Sequence, residues 1–208
     1  YSFVNQTENS AVVAMDWELL RVPFTVSVDI KNTQIESFRE EINSGIFYRY
    51  WQNLQTAAYY CLVNNINLEE GLEWADRSIN SYFGEANFKT LSTYAGLLSK
   101  LGREDEADVA MEKGFPMGTS EDLVNYGIDL NLKGEHDKAF SIFKSTLTNN
   151  PDDVYAHLGM ISGHFYNGDK KKALKFCESA KSKTKDKNFI NYIDGLVLDI
   201  NTGKEIFK

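Results

Sequence analysis

The sequence predicts a mainly α chain: an α-α superhelix of about four stacked helix pairs with a C-terminal capping helix, behind a short N-terminal β-hairpin. Three observations carry that prediction. A five-position helical code occurs twice around two glycines, with identical internal spacing. Two further helix pairs repeat the scheme upstream and downstream. The first thirty residues alternate with a period of two, whereas the remainder follows the period of a helix.

The N-terminal elements come first in the chain. Tyr1 and Phe3 read as the end of a strand, and residues 5–9 as a turn. Residues 10–18 alternate with Ala11, Val13, Met15 and Trp17 on one face. Val22, Phe24, Val26, Val28 and Ile30 alternate in the same way opposite Thr25, Ser27 and Asp29, so both runs read as half-buried strands. Residues 18–21 connect them, and Pro23 suggests an edge or a bulge because it removes a ladder donor. A sheet this small is not stable alone. Its apolar face, with Trp17, Phe24, Val26 and Val28, therefore calls for a cover. The expected covers are the first helices, residues 35–42 and 47–54, or the same strands of a second copy. Docking on the chain's own helices is preferred over a homodimer. The expected division is residues 1–31 as a strand segment and 35–208 as the helical repeat.

The repeat is read outward from its glycines. Ala95, Leu98, Gly102, Ala107 and Met111 recur as Gly127, Leu130, Gly134, Ala139 and Phe143, offset by 32 residues. The small residue lets the second helix approach, and the leucine at i+3 shares its face. The glycine ends the helix in the left-handed conformation, and the alanine marks the crossing of the pair. Gly168, Ala173, Cys177 and Ala180 form a third copy. Its first helix aligns with either Gly159 or Ile161 as the small position. Upstream, Trp51, Leu54, Ala58 and Cys61 form a first helix and Gly71, Ala75 and Ser78 a second. Asn64-Asn65 takes the glycine's place in that turn, since asparagine also tolerates positive φ. Residues 189–200, with Ile193, Leu196, Val197 and Ile200, read as the cap over the last pair.

These residues resemble the tetratricopeptide repeat family over about residues 46–203. The matches are the large residue opening each first helix (Trp51, Leu91, Leu123), the tyrosines before the small position (Tyr94, Tyr126), the turn glycines, the second-helix alanines and Pro151. Two departures are the shortened link Phe115-Pro116-Met117-Gly118 and the missing turn glycine of the first pair, which allows that pair to be splayed. The resemblance implies a non-catalytic scaffold whose concave face, formed by first helices, holds a peptide or protein segment. Stepping by turns from the core positions, that face is expected to carry Gln55, Tyr59, Leu62, Ser92, Gly96, Ser99, Val124, Ile128, Asn131, Ser162 and Tyr166. This set is neutral, partly apolar and partly aromatic. It lacks the lysine and asparagine constellation with which some family members clamp a terminal carboxylate, so a segment with apolar anchors fits better.

A second resemblance concerns residues 9–18 and Val22-Pro23-Phe24, with Trp51, Ala57-Ala58, Tyr60-Cys61 and residues 68–74. They look like the C-terminal strands and helical extension of an uncharacterised exported β-domain family of Gram-negative bacteria. That likeness implies the periplasm and a β-domain lying mostly upstream of Tyr1. It also opens an alternative function, a helical scaffold attached to a small-ligand-binding or enzymatic β-domain.

Little chemistry is legible. A net charge of −8 argues against nucleic acid, which needs a basic field. The local exception, lysines 170, 171, 172, 175, 181, 183, 185 and 187, reads as a solvated helix face. No stretch has the length and apolarity of a membrane span. His157 and His164 lie seven apart on one helix without a third ligand, which makes a weak metal site. His136, in a repeat turn, is expected to be exposed. No serine or cysteine stands in a nucleophile-elbow context. Glu69-Glu70 and Glu104-Asp105-Glu106 fall where second helices begin, and the helix dipole accounts for them. Cys61 and Cys177 read as small core residues rather than a disulfide. Asn5-Gln6-Thr7 fits the glycosylation pattern but falls in a turn. No enzyme activity, cofactor or metal is expected.

Overall fold

A computed structural model describes residues 1–45 and 50–207. The fold is mainly α, with a small N-terminal sheet, and the chain divides into two compact units, residues 1–111 and 112–208. The elements are β1 (Ser2–Val4), β2 (Ser10–Trp17), β3 (Leu20–Ser27), α1 (Ile30–Asn43), α2 (Trp51–Asn64), α3 (Leu68–Asn80), α4 (Phe88–Lys100), α5 (Glu104–Gly114), α6 (Ser120–Leu132), α7 (His136–Asn149), α8 (Val154–Tyr166), α9 (Lys170–Ser182) and α10 (Lys187–Thr202).

In the first unit the strands form an antiparallel sheet of order β1-β2-β3. Its register pairs Phe3 with Val13 and Val13 with Phe24, then Ala11 with Val26, Met15 with Val22 and Trp17 with Leu20. The alternation read from sequence is therefore one continuous apolar face. Pro23 sits on the edge strand, where its missing N–H is harmless. The β2–β3 connection is tighter than expected, two residues (Glu18-Leu19), with Glu18 at φ 50°. Ile30, read as the end of a strand, instead opens α1, because the Asp29 side chain accepts the Asn32 N–H and caps a helix there. α1 thus starts earlier than residue 35.

The expected docking of the apolar sheet face on the chain's own helices is not what the structure shows. Trp17 is 72% exposed, and Phe3, Leu20, Phe24, Val26 and Val28 are all exposed too. Two side chains of β2 are buried, Val13 at the centre of this face between Phe3 and Phe24, and Ala14, which points to the other face. The helical part of this unit packs around Ile35, Phe38, Leu54, Ala57, Ala58, Cys61, Trp74 and Leu97. Arg39 donates to both carboxylate oxygens of Glu70, at 2.7 and 2.6 Å, and so ties α1 to α3. The part of the expected helix 47–54 that precedes Tyr50 lies outside the described residues; Trp51–Leu54 opens α2 as read.

The repeat code is realised in its turns. Residues 65, 102, 134, 168 and 203 all take positive φ, between 52° and 85°. In each case the following N–H reaches back to a carbonyl five residues earlier: Ile66 to Cys61, Arg103 to Leu98, Glu135 to Leu130, Asp169 to His164 and Lys204 to Asp199, at 2.8–3.1 Å. This is the six-to-one bond that closes a helix on a left-handed residue. Asn65 does it at φ 52° in the pair that lacks glycine, as its sequence position required. The last of the five turns follows α10, so the cap ends in the manner of a first helix.

The second unit packs α6 against α7 and α8, α8 against α9 and α9 against α10. Its core contains Leu130, Phe143, Ile161, Cys177, Ile193 and Ile200, all on expected stripes. The two alignments of α8 resolve by face. A Cβ on Gly159 would stand 2.7 Å from the Phe143 ring of α7, while Ile161 is wholly buried at the repeat's own register position. The link at Phe115–Met117 is a single 3-10 turn.

A candidate interaction groove on the first helices

The predicted surface set divides between the two units and separates by burial. In the first unit Gln55 is buried rather than presented. Its Nε2 donates to Thr93 Oγ1 at 3.1 Å, bridging the successive first helices α2 and α4. Leu62 lies over Gly96, whose imagined Cβ would approach Leu62 Cδ2 to 2.8 Å, so these two are spent on each other. Ser92 Oγ donates to its own helix at Lys89 O, and Ser99 Oγ to Glu104 Oε1 at 2.8 Å. Tyr59 stays open to solvent.

In the second unit Asn131 and Ser162 are buried and joined, Asn131 Nδ2 donating to Ser162 Oγ at 2.9 Å between α6 and α8. Val124 is also enclosed at its root. The physical reason is common to all four corrections, Gln55, Val124, Asn131 and Ser162. First helices of successive pairs touch one another, so residues one turn from the pair's own crossing close that second interface. His136 was expected in solvent, but its Nδ1 meets Asn131 Oδ1 at 3.1 Å and its ring stacks on Tyr166 at 5.5 Å. The Tyr166 hydroxyl in turn donates to the Ile206 carbonyl at 3.0 Å. Burial raises the pKa of that hydroxyl.

Val124 and Ile128 also contribute to an open hollow of about 330 Å³ on α6, α8 and α10. Tyr155 and Leu158 of α8, Phe189 and Tyr192 of α10 and Phe207 complete its apolar wall. Asn125, Asp186 and Asn188 supply a polar rim. Sequence stepping found only the α6 wall, because the other two come from helices treated as the last pair and its cap. The signal was present: Tyr155, Phe189 and Tyr192 are aromatics that none of the repeat's core positions accounts for. Tyr155 packs edge-on to Phe189 at 5.4 Å, and Phe189 on Tyr192 at 6.3 Å. Tyr155 and Tyr192 both have raised pKa values, chiefly through burial, so both stay neutral phenols with an apolar body and a polar tip.

The other candidate groups are structural in their placement. His157 Nε2 donates to the Pro151 carbonyl at 2.8 Å, leaving Nδ1 buried without a partner. His164 sits between Phe140, edge-on at 5.1 Å, and Phe176, stacked at 5.4 Å. Burial lowers its pKa. The two cysteines are enclosed, free thiols, pushed up to about 12 for Cys61 and about 11 for Cys177 by desolvation. Among the described residues no group of three metal-ligating side chains comes together, and no helix is long and apolar enough to cross a membrane. Three lysines of the C-terminal cluster pair with carboxylates, Lys172 with Asp169, Lys181 with Asp194 and Lys183 with Asp152. The groove can grip an apolar or aromatic side chain and address amides at its rim. It brings together no nucleophile and base.

Comparison with solved structures finds six likenesses, YrrB and MamA among them. YrrB, a TPR protein with an unusual peptide-binding site, aligns over 80% of this chain and 84% of its own, with 14% identity and a TM-score of 0.44. MamA aligns over 76% of this chain and 96% of its own, with 13% identity and a TM-score of 0.45. No family model and no curated protein matches the sequence. The tetratricopeptide-like character therefore stands on the helix pairs and their turns, and the likeness of the N-terminal strands to an exported β-domain has no match behind it.

Proposed function

We propose that the chain is a non-catalytic interaction scaffold whose groove on α6, α8 and α10 receives an apolar, aromatic-bearing segment of a peptide or protein. The observation that carries this reading is the convergence of Ile128, Tyr155, Leu158, Phe189 and Tyr192 from three first helices onto one open hollow. Core stripes bury apolar residues against a partner helix. Leu158 is also a core residue, but the part-exposed Ile128, Tyr155, Phe189 and Tyr192 line a concave surface around it with amides and a carboxylate at its edge, the composition of a site that anchors a side chain and reads its backbone. Of the eleven residues expected from sequence, Val124 and Ile128 belong to this reading directly. Tyr59 offers a separate exposed aromatic in the other unit. Periplasmic localisation goes with the proposal on the resemblance of residues 9–24 alone.

The test is selection of a random peptide library on the whole chain, followed by titration of the winners. Enriched peptides should carry aliphatic and aromatic residues. Ile128→Asp and Tyr192→Ala should weaken them by about tenfold or more, the scale of one lost apolar anchor at roughly 1.4 kcal/mol per decade. Leu198→Asp, an exposed position on α10 outside the groove, should leave them unchanged. Peptides that bind all three variants equally, or no enrichment at all, would remove the groove from the account.

A further inference from the structure

Among the glycine turns at 102, 134, 168 and 203, the one after α10 alone does not lead into another helix. After Gly168, at φ 79°, the chain enters α9 two residues later; after Gly203, at φ 74°, residues 204–207 form no helix. Ile206 is nonetheless only 1% exposed and belongs to the core of its unit. Its carbonyl accepts the Tyr166 hydroxyl, and the next residue, Phe207, forms part of the groove wall beside Leu158 and Ile128. Phe207 takes φ 60°, a left-handed conformation that a bulky side chain adopts only when its contacts hold it there.

These are the elements of bound-peptide recognition: a buried aliphatic anchor, a backbone carbonyl met by a fixed donor, and an aromatic ring that forms one wall of an apolar hollow. We infer that residues 204–207 are an intramolecular ligand of the groove, and that an incoming partner segment carries the same aliphatic–aromatic pair and displaces Phe207. The inference rests on the groove being the binding site. It makes the free chain partly self-occupied, so apparent affinity is reduced by the fraction of molecules whose groove is open.

The probe is a fluorescently labelled peptide Lys-Glu-Ile-Phe, blocked at both ends, titrated by anisotropy into the whole chain and two variants. Phe207→Ala changes only a half-buried side chain, and Tyr166→Phe removes only the hydroxyl. Both should keep a cooperative melt and bind the probe about tenfold or more tightly than the unaltered chain. Replacing the probe's phenylalanine by alanine should abolish that gain. Equal affinity for all three proteins would overturn the inference, as would no binding to either folded variant. If library-selected peptides bind the groove and are weakened by Ile128→Asp, while Phe207→Ala leaves their affinity unchanged, the self-ligand is refuted and the groove stands. If nothing selected depends on Ile128, the groove itself has failed and the inference falls with it.

Discussion

In the first unit the crossing of α2 and α3 is closed by small residues on both sides: a Cβ on Gly71 would stand 2.6 Å from Cys61 Cβ and 3.3 Å from Leu97 Cδ2. In the second unit the crossing of α7 is closed by one large ring. Phe143 is received by Gly127 of α6, at 2.4 Å from an imagined Cβ, and by Gly159 and Gly163 of α8, at 2.7 and 3.0 Å. At the following pair the sizes reverse again, with Ile161 on the first helix and Cys177 on the second, both fully buried. What repeats is a summed volume between helices rather than a small residue at a fixed place, as close packing demands. A second device is shared by both units. A buried side-chain bond joins successive first helices, Gln55 to Thr93 in one and Asn131 to Ser162 in the other.

The largest effect should come from the ring that three glycines surround. Phe143→Ala is expected to destabilise the second unit by roughly 3–5 kcal/mol, the range for deleting a buried aromatic. Urea unfolding followed separately in each unit would check this, and a small loss there would mean the three glycines do not enclose the ring. Gly159→Ala should be damaging alone yet cost much less in the Phe143→Ala background, a non-additivity expected of residues in contact. Next in size, Ala139→Leu overpacks a fully enclosed position and should cost about 1–3 kcal/mol. An unchanged melting midpoint would mean that the repeat alignment is misplaced.

The polar bridges sharpen the comparison. Asn131→Ala strands Ser162 and also removes the His136 contact, whereas Gln55→Ala strands only Thr93. Both should fall in the range of about 1–3 kcal/mol for an unsatisfied buried partner, with the Asn131 variant the larger. Equal losses would make the His136 contact idle.

A pH effect should separate the units, because all three histidines lie in the second. Burial depresses the folded-state pKa of His164, with Lys172 adding to the depression and Asp169 opposing it. The stabilisation from a neutral His164 is therefore fully present above the unfolded value of about 6.5. As pH falls below that value the unfolded chain binds the proton first, and the stabilisation is lost progressively through the lower, folded pKa. Denaturation midpoints taken from pH 7.5 downward should show this loss in the wild type and less of it in His164→Gln. Identical slopes would assign it to another group. The smallest effect belongs to the sheet. Phe24→Asp on its exposed face should change stability within about 0.5 kcal/mol, as expected for a surface site. A larger loss would show that the face is covered after all.

Glycine spacing was enough to predict the helix pairs, since left-handed closure demands Gly or Asn at the turn and the five turns obey it. The two strands and their shared face were legible from the alternation, but their pairing was not, and the connection closed in two residues rather than four. Legibility stopped where one repeat meets the next. Gln55, Asn131 and Ser162 sit where a single pair would leave solvent, and only the stacking of α2 on α4 and of α6 on α8 encloses them. The same contact hid the groove. Its walls come from three repeats, and Tyr155 and Tyr192 acquire a shared function only when α8 and α10 are adjacent to one hollow. His136 was misread for a related reason: its exposure was inferred from its turn, while its stacking partner Tyr166 lies thirty residues away.

Among the described residues the sheet face of the first unit and the groove of the second are both open and apolar, and the functional account rests on choosing the groove. The direct measurement is side-chain NMR of the whole chain titrated with a library-selected peptide. The account predicts shifts at the Tyr155, Phe189 and Tyr192 rings and at the Ile128 and Leu158 methyls. The Phe3, Trp17 and Phe24 rings and the Val26 methyls should stay in place. Shifts confined to the sheet residues would contradict it.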